Sequence, residues 1–154
     1  MTHREIDLNN ETQPQDERAF IQQLKETFDR LPNEINLYLF TAKGEKDIFS
    51  QNTRQVVRTF RELTQKITFK EYHLDHELAR KWQVTNSPTL LISPERYPIR
   101  WQGAPIGEEG RTFLETLIHV GLGQSNVSDP SAKVLRKITS PRDIKVFVSP
   151  TCPY

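Results

Sequence analysis

A repeated segment constrains the fold of this chain more than any other feature of its sequence. Residues 32–39 read PNEINLYL and residues 141–148 read PRDIKVFV. A proline, an acid, an isoleucine and an aliphatic–aromatic–aliphatic run therefore recur at an offset of 109 residues. Each copy follows a segment with the apolar spacing of a helix. The repeat predicts one complete structural unit followed by the beginning of a second copy.

Between the two copies, the spacing of apolar residues alternates between helix and strand periods. It predicts helices over 16–31, 47–66, 75–82 and 108–120, and strands over 35–40, 67–72, 89–92 and 97–101. Strand–helix–strand at the front implies a parallel pair with a right-handed crossover, and a hairpin at the back adds antiparallel strands. The expected fold class is α/β, a mixed four-stranded sheet with helices on both faces. The helical stripes, which include Phe20, Ile48 and Phe49, are expected to face the core.

The remaining segments are shorter and more polar. We expect a flexible lead over 1–15, a complete unit over 16–123 and a linker of turn-forming residues over 124–130. Residues 131–154 would then be the first helix (131–138) and first strand (144–148) of the second unit. That strand has no sheet of its own, which predicts a homodimer formed through residues 131–154.

Composition excludes several function classes. The formal net charge is +1, whereas binding of nucleic acid through bulk charge needs a clearly basic domain. No apolar run approaches the roughly 20 residues of a membrane helix, and the first residues contain no apolar signal core.

The sequence has one cysteine, which suits a reducing compartment, so we expect a cytoplasmic location. His73 and His76 lack further metal-ligating neighbours, so no metal is expected.

Two segments are similar to the thioredoxin family. Residues 84–92, VTNSPTLLI, resemble the stretch in which a cis-proline precedes the third strand, which makes Pro88 the candidate. Taken alone, Ser87–Pro88 would be expected to be trans, since only about 5–6% of X–Pro bonds in folded proteins are cis. Residues 101–109, WQGAPIGEE, resemble the glycine-bearing turn that leads into the last helix. The resemblance implies a thioredoxin-like fold for residues 16–123.

The end of the second copy carries a cysteine motif. Residues 148–154 read VSPTCPY, and Cys152, Pro153 and Tyr154 are similar to the start of a Cys-Pro-Tyr-Cys redox motif at the end of a first strand. At the same offset, the first unit has Lys43, Gly44, Glu45 and Lys46, a degenerate motif without a thiol. Lys43–Lys46 are therefore interpreted as a turn that is kept for packing, and a functional basic turn is the other interpretation.

Two tandem units, the first without cysteines, resemble the N-terminal domain of the alkyl hydroperoxide reductase flavoprotein subunit and the two-unit glutaredoxin-like protein disulfide oxidoreductases. The resemblance implies a thiol–disulfide relay in which the second unit is active and the first is a silent scaffold. Its partners would be a flavoprotein reductase and a peroxidase or other disulfide protein. FAD and NAD(P)H would be bound by a partner domain or chain, and no cofactor by this one.

Cys152 would be the nucleophile of this incomplete motif. A thiolate attacks a disulfide to form a mixed disulfide, which a second thiol normally resolves. We expect mixed disulfides at Cys152 without turnover; an inert exposed cysteine is the other interpretation. Three explanations are open for a motif that ends at Tyr154. They are a proteolytic or deliberate cut of the chain, an error in the sequence, and a UGA codon that encodes selenocysteine but is read as a stop. The alternative function is a non-catalytic module that docks a flavoprotein or substrate protein around Pro88.

Overall fold

A computed structural model describes residues 14–42, 47–140 and 142. The chain divides into two units, residues 1–124 and residues 125–154. In the first unit the element order is α1 (Pro14–Asp29), β1 (Ile35–Thr41), α2 (Ile48–Leu63), β2 (Ile67–His73), α3 (Glu77–Lys81), β3 (Thr89–Ile92), β4 (Ile99–Gln102) and α4 (Glu108–Leu122). In the second unit the structure describes α5 (Asp129–Leu135).

The described strands form a four-stranded sheet in the order β2-β1-β3-β4. β1 pairs parallel with β2, with Leu37 opposite Phe69, and antiparallel with β3, with Leu39 opposite Leu90. β3 pairs antiparallel with β4, with Leu90 opposite Trp101. The predicted mixed four-stranded α/β sheet is confirmed.

Alternation along β1 divides the core between the two faces of the sheet. Alternate residues of a strand point to opposite faces. The larger cluster contains alternate residues of β1 and β3 together with side chains from α1, α2 and α4; its fully buried members include Phe28, Leu37, Leu39, Val57, Leu90, Ile92, Phe113 and Leu117. The other cluster contains the intervening residues Phe40 and Leu91, with Ala79 of α3. Both faces are therefore covered by helices, as the sequence predicts.

Aromatic rings complete the α3 side of the sheet. Trp82 stacks on Tyr38 with ring centroids 5.2 Å apart, and Tyr72 stacks on Phe40 at 5.7 Å. Burial, followed by the neighbouring Glu95 carboxylate, raises the pKa of Tyr38 to about 12. Tyr38 therefore stays neutral and is a packing residue at physiological pH.

Three ends of helices and strands differ from the predicted ones for local reasons. α1 begins at Pro14, inside the predicted lead, because proline is tolerated in the first helical turn. α2 ends at Leu63 rather than Lys66, because Thr64 is extended and its hydroxyl donates to Asp29 Oδ1 at 3.1 Å. The return strand β4 begins at Ile99 rather than Tyr97, since Pro98 has no N–H to donate to a ladder.

Capping also shifts the remaining helices. α3 is shorter than predicted because His76 Nδ1 accepts the N–H of Leu78 and caps the helix. α4 continues to Leu122, where Gly123 ends it in the left-handed conformation at φ 69°. α5 begins at Asp129, inside the predicted linker, because the Ser128 side chain caps it.

Two glycines of α4 give a matched test of the packing. An added Cβ at Gly121 would lie 2.5 Å from Leu31 Cδ1 and 3.2 Å from Leu31 Cβ, whereas one at Gly110 would meet only Pro105 O, at 3.7 Å. Leu31 is 2% exposed and has no room to move. We expect Gly121→Ala to lower the free energy of unfolding by about 1–2 kcal/mol.

Gly110→Ala is the control and should raise the free energy of unfolding by up to about 1 kcal/mol, because alanine has the higher helix propensity. Urea denaturation of both variants measures the difference. Equal effects at the two positions would contradict the close approach of α4 to Leu31.

Candidate functional site

The loop before β3 lies against the end of β1. The Ser87–Pro88 peptide bond is cis, at the position where the resemblance to thioredoxins implies one. Ala42, which directly follows β1, donates its N–H to Ser87 Oγ at 3.0 Å. Gly103, which follows β4, donates its N–H to the Pro88 carbonyl at 3.1 Å. The buried Pro88 is thus held between the ends of two strands.

The first turn of α2 has its own side-chain cap. Asp47 caps the helix, and its carboxylate accepts the N–H of Ser50 at 2.8 Å. The neighbouring hydroxyl and backbone N–H of Ser50 hold the pKa of Asp47 below its usual value. The positive end of the α2 dipole is therefore already occupied by an ionised carboxylate. A thiolate would gain less stabilisation there than at an unoccupied helix N-terminus.

Thr53 connects the first turn of α2 to the turn after β4. Its hydroxyl lies 2.8 Å from the Phe49 carbonyl and 3.3 Å from the Gly103 carbonyl. The residues that face inward at this end of α2 are Ser50, Thr53 and Val57, at helical spacing. This arrangement links α2 to the same Gly103 that holds Pro88.

The sequence-based assignment of Ile48 and Phe49 to the inner face of α2 is wrong. Ile48 is 59% exposed and Phe49 is 54% exposed, because Ser50 and Thr53 take the inward positions of the first turns. Ile106, in the turn between Gly103 and α4, is also exposed, at 46%. We call Pro88, Ile48, Phe49 and Ile106 the Pro88 face.

An ion pair fixes the ends of β1 and β2 to α2. Arg54 of α2 donates through Nε and Nη2 to the Glu71 carboxylate, with distances of 2.9 and 2.7 Å. The buried Thr41 hydroxyl donates to Glu71 Oε1 at 3.1 Å. Hydrogen bonding to Arg54 outweighs desolvation and lowers the pKa of Glu71. Sequence reasoning missed this group, since only the parallel register β1–β2 brings Glu71 towards Thr41.

The predicted motif residues lie outside the described part of the chain. Neither Lys43–Lys46 nor Cys152, Pro153 and Tyr154 is described. Within residues 14–42, 47–140 and 142, no three His, Cys, Asp or Glu side chains are grouped as a metal site would require. None of the helices in these ranges has the length and apolar character of a membrane span.

This chain has the same fold as several solved structures. A protein disulfide oxidoreductase from Aeropyrum pernix is 20% identical, with a TM-score of 0.63, over 77% of this chain and 53% of that one. The alkylhydroperoxide reductase component AhpF from Enterococcus faecalis is 23% identical, with a TM-score of 0.60, over 73% of this chain and 56% of that one. The NTD_N/C domain of the same reductase is 24% identical, with a TM-score of 0.59 and the same coverage.

These comparisons confirm the thioredoxin-like fold. The two kinds of protein are those that the sequence resembles, and this chain spans just over half the length of each structure. No protein-family model matches the sequence, and no curated protein matches it either.

The Glu71 ion pair gives a test with a defined pH dependence. Because the folded-state pKa of Glu71 is lowered, its stabilisation is present above the ordinary carboxyl pKa of 4.5 and is lost as the pH falls below that value. We expect Glu71→Gln to lower the free energy of unfolding by about 1 kcal/mol at pH 7, since both partners are partly exposed. The difference from wild type should disappear towards acid pH.

Glu115→Gln is the matched control. Glu115 pairs with Arg111 at 3.1 Å, but their side chains are 55% and 86% exposed. An exposed pair of this kind contributes little to stability. Denaturant unfolding at several pH values compares the variants, and a pH-independent loss in Glu71→Gln would contradict the assigned role.

Proposed function

We propose that this chain belongs to a thiol–disulfide redox protein in which residues 16–123 form a non-catalytic unit that docks partner proteins. Cys152 would begin the active pair of the second unit, with Cys152, Pro153 and Tyr154 followed by a cysteine or selenocysteine that resolves the mixed disulfide. The partners would be a flavoprotein reductase, which binds FAD and NAD(P)H, and a peroxidase or other disulfide protein.

The observation that supports this proposal is the Pro88 face. It combines a buried proline, held by hydrogen bonds at Ser87 and at the Pro88 carbonyl, with the exposed side chains of Ile48, Phe49 and Ile106. Contiguous exposed apolar patches are typical of protein-binding surfaces, and we propose that these side chains form one. Hydrogen bonds through Ala42, Gly103 and Thr53 fix the backbone of this surface.

Two features argue against catalysis by the first unit. Its part of the sequence contains no cysteine, so no thiolate can attack a disulfide there. The N-terminus of α2, which would stabilise a thiolate, instead carries the ionised Asp47. Geometry and charge thus favour binding over electron transfer in this unit.

The redox part of the proposal is tested by measuring the formation of a mixed disulfide separately from the sustained reduction of a substrate. We expect the 154-residue chain to form a mixed disulfide with a disulfide-containing substrate protein, detected as a mass increase. It should show no sustained reduction of that substrate above background, because one thiol cannot resolve the intermediate. Cys152→Ser should abolish the mixed disulfide. Sustained turnover, or a mixed disulfide in Cys152→Ser, would contradict the proposal.

The docking part is tested with two exposed phenylalanines. Phe49 lies on the Pro88 face, whereas the similarly exposed Phe20 lies on α1. We expect Phe49→Ser to weaken binding of a purified cognate flavoprotein reductase or peroxidase at least tenfold, roughly the effect of losing an interface hot spot. Isothermal titration calorimetry measures both variants.

Phe20→Ser should bind these partners as the wild type does. Equal affinities of wild type and Phe49→Ser would overturn the docking role, as would the absence of any binding to either partner. Because both side chains are solvent-exposed in a single copy of the chain, neither substitution should appreciably change the free energy of unfolding of the monomer.

A further inference from the structure

The N-terminal half of α1 is an apolar surface that the described chain leaves uncovered. Phe20 is 56% exposed and Ile21 is 43% exposed, whereas Phe28, two turns further along the helix, is fully buried. Phe20 and Ile21 border a cavity of about 580 Å³ between α1, α2 and α4, lined mainly by apolar side chains that include Leu24, Phe60, Leu63, Leu114 and Ile118. This surface lies on α1, α2 and α4, apart from the residues that define the Pro88 face.

The charges on α1 are complementary to those of a second, antiparallel copy of the same helix. Glu17, Ile21 and Lys25 are spaced by four residues, so they share one ridge of the helix. A negative charge, an apolar residue and a positive charge follow one another along this ridge. Within the described residues, the side chains of Glu17 and Lys25 make no hydrogen bond or ion pair, although both residues belong to α1. In an antiparallel pair of such helices centred on Ile21, each glutamate would face the other helix's lysine.

We propose that this surface binds a second copy of the chain through α1, in an antiparallel arrangement with a two-fold axis at Ile21. Glu17 of each copy pairs with Lys25 of the other, and Phe20 of each copy enters the cavity of the other. A two-fold interface uses the same patch on both subunits, so it requires the self-complementary pattern that α1 has. The apolar cavity supplies most of the affinity, while the charges set the direction of the helices.

This interface is different from the one that the sequence predicts, which uses residues 131–154. It is also independent of the proposed redox function, since it uses neither Cys152 nor the Pro88 face. The α1 interface leaves Phe49 accessible on each copy. The dimer would therefore carry two docking surfaces.

A charge-swap experiment on the full chain tests the proposal. Glu17→Lys alone places lysine opposite lysine at both symmetry-related positions, and Lys25→Glu alone places glutamate opposite glutamate. We expect each single variant to weaken the dimer about tenfold. The double variant Glu17→Lys with Lys25→Glu restores both pairs in reversed polarity and should regain the affinity of wild type. Sedimentation velocity over a range of protein concentrations measures the dissociation constant.

Phe20→Ser should produce a monomer over the range in which wild type is dimeric, and Phe49→Ser should remain dimeric. A monomeric wild-type chain would overturn the proposal. So would a dimer that is insensitive to Phe20→Ser, or a double charge variant that fails to recover. At protein concentrations below the dissociation constant, where every variant is monomeric, the unfolding curves of the charge variants and wild type should coincide, because a loss of dimer is not a loss of fold.

Crosslinking locates the two-fold axis. In a Cys152→Ser background, Ile21→Cys should give a covalent dimer with a short bis-maleimide, because the two residues meet at the axis. Glu95→Cys, in the hairpin on the α3 side of the sheet, should not. Crosslinking at both positions or at neither would contradict the antiparallel α1 arrangement.

Discussion

The structure depends on the burial of β1 on both faces and along both edges. Ile35, Leu37 and Leu39 face the helices α1, α2 and α4, while Phe40 faces α3. Every residue from Ile35 to Thr41 has a partner on β2, and Leu37 to Phe40 also have partners on β3. A strand without a free edge or a solvated face fixes the order of its neighbours. The sheet order β2-β1-β3-β4 is a consequence of this constraint.

The end of β1 is joined to the surface that we propose as a docking site. Because β1 is central, Ala42 at its end contacts Ser87, and Thr41 shares the Glu71 carboxylate with Arg54 of α2. Hydrogen bonds from Ala42 and Thr53 hold these segments together, and the Arg54–Glu71 pair stabilises the same end of the sheet. The surface is thus rigid in its backbone and apolar in its side chains. Rigidity of this kind lowers the entropic cost of binding a partner.

Much of the fold can be predicted from the sequence, and much of the site cannot. The apolar run at residues 35–40 is sufficient to place a buried strand, since few polar residues interrupt it. Helical spacing assigns Phe49 to the core, because a phenylalanine in such a pattern usually faces inward. The spacing of apolar residues does not predict the burial of Ser50 and Thr53, which are polar yet occupy the inward positions of α2. The burial of Thr53 depends on the Gly103 turn, 50 residues away in sequence.

The position of β3 has a consequence for biosynthesis. β1 can pair with β2 once residue 73 has been made, but its other edge stays open until Thr89–Ile92 is available. An emerging chain must therefore hold an apolar strand with one open edge while about 50 further residues are added, and such an edge is prone to associate with other chains. During that interval, protection of β1 must come from the ribosome surface or from chaperones. For this protein, the rate of translation between β1 and β3 sets how long the nascent chain is vulnerable.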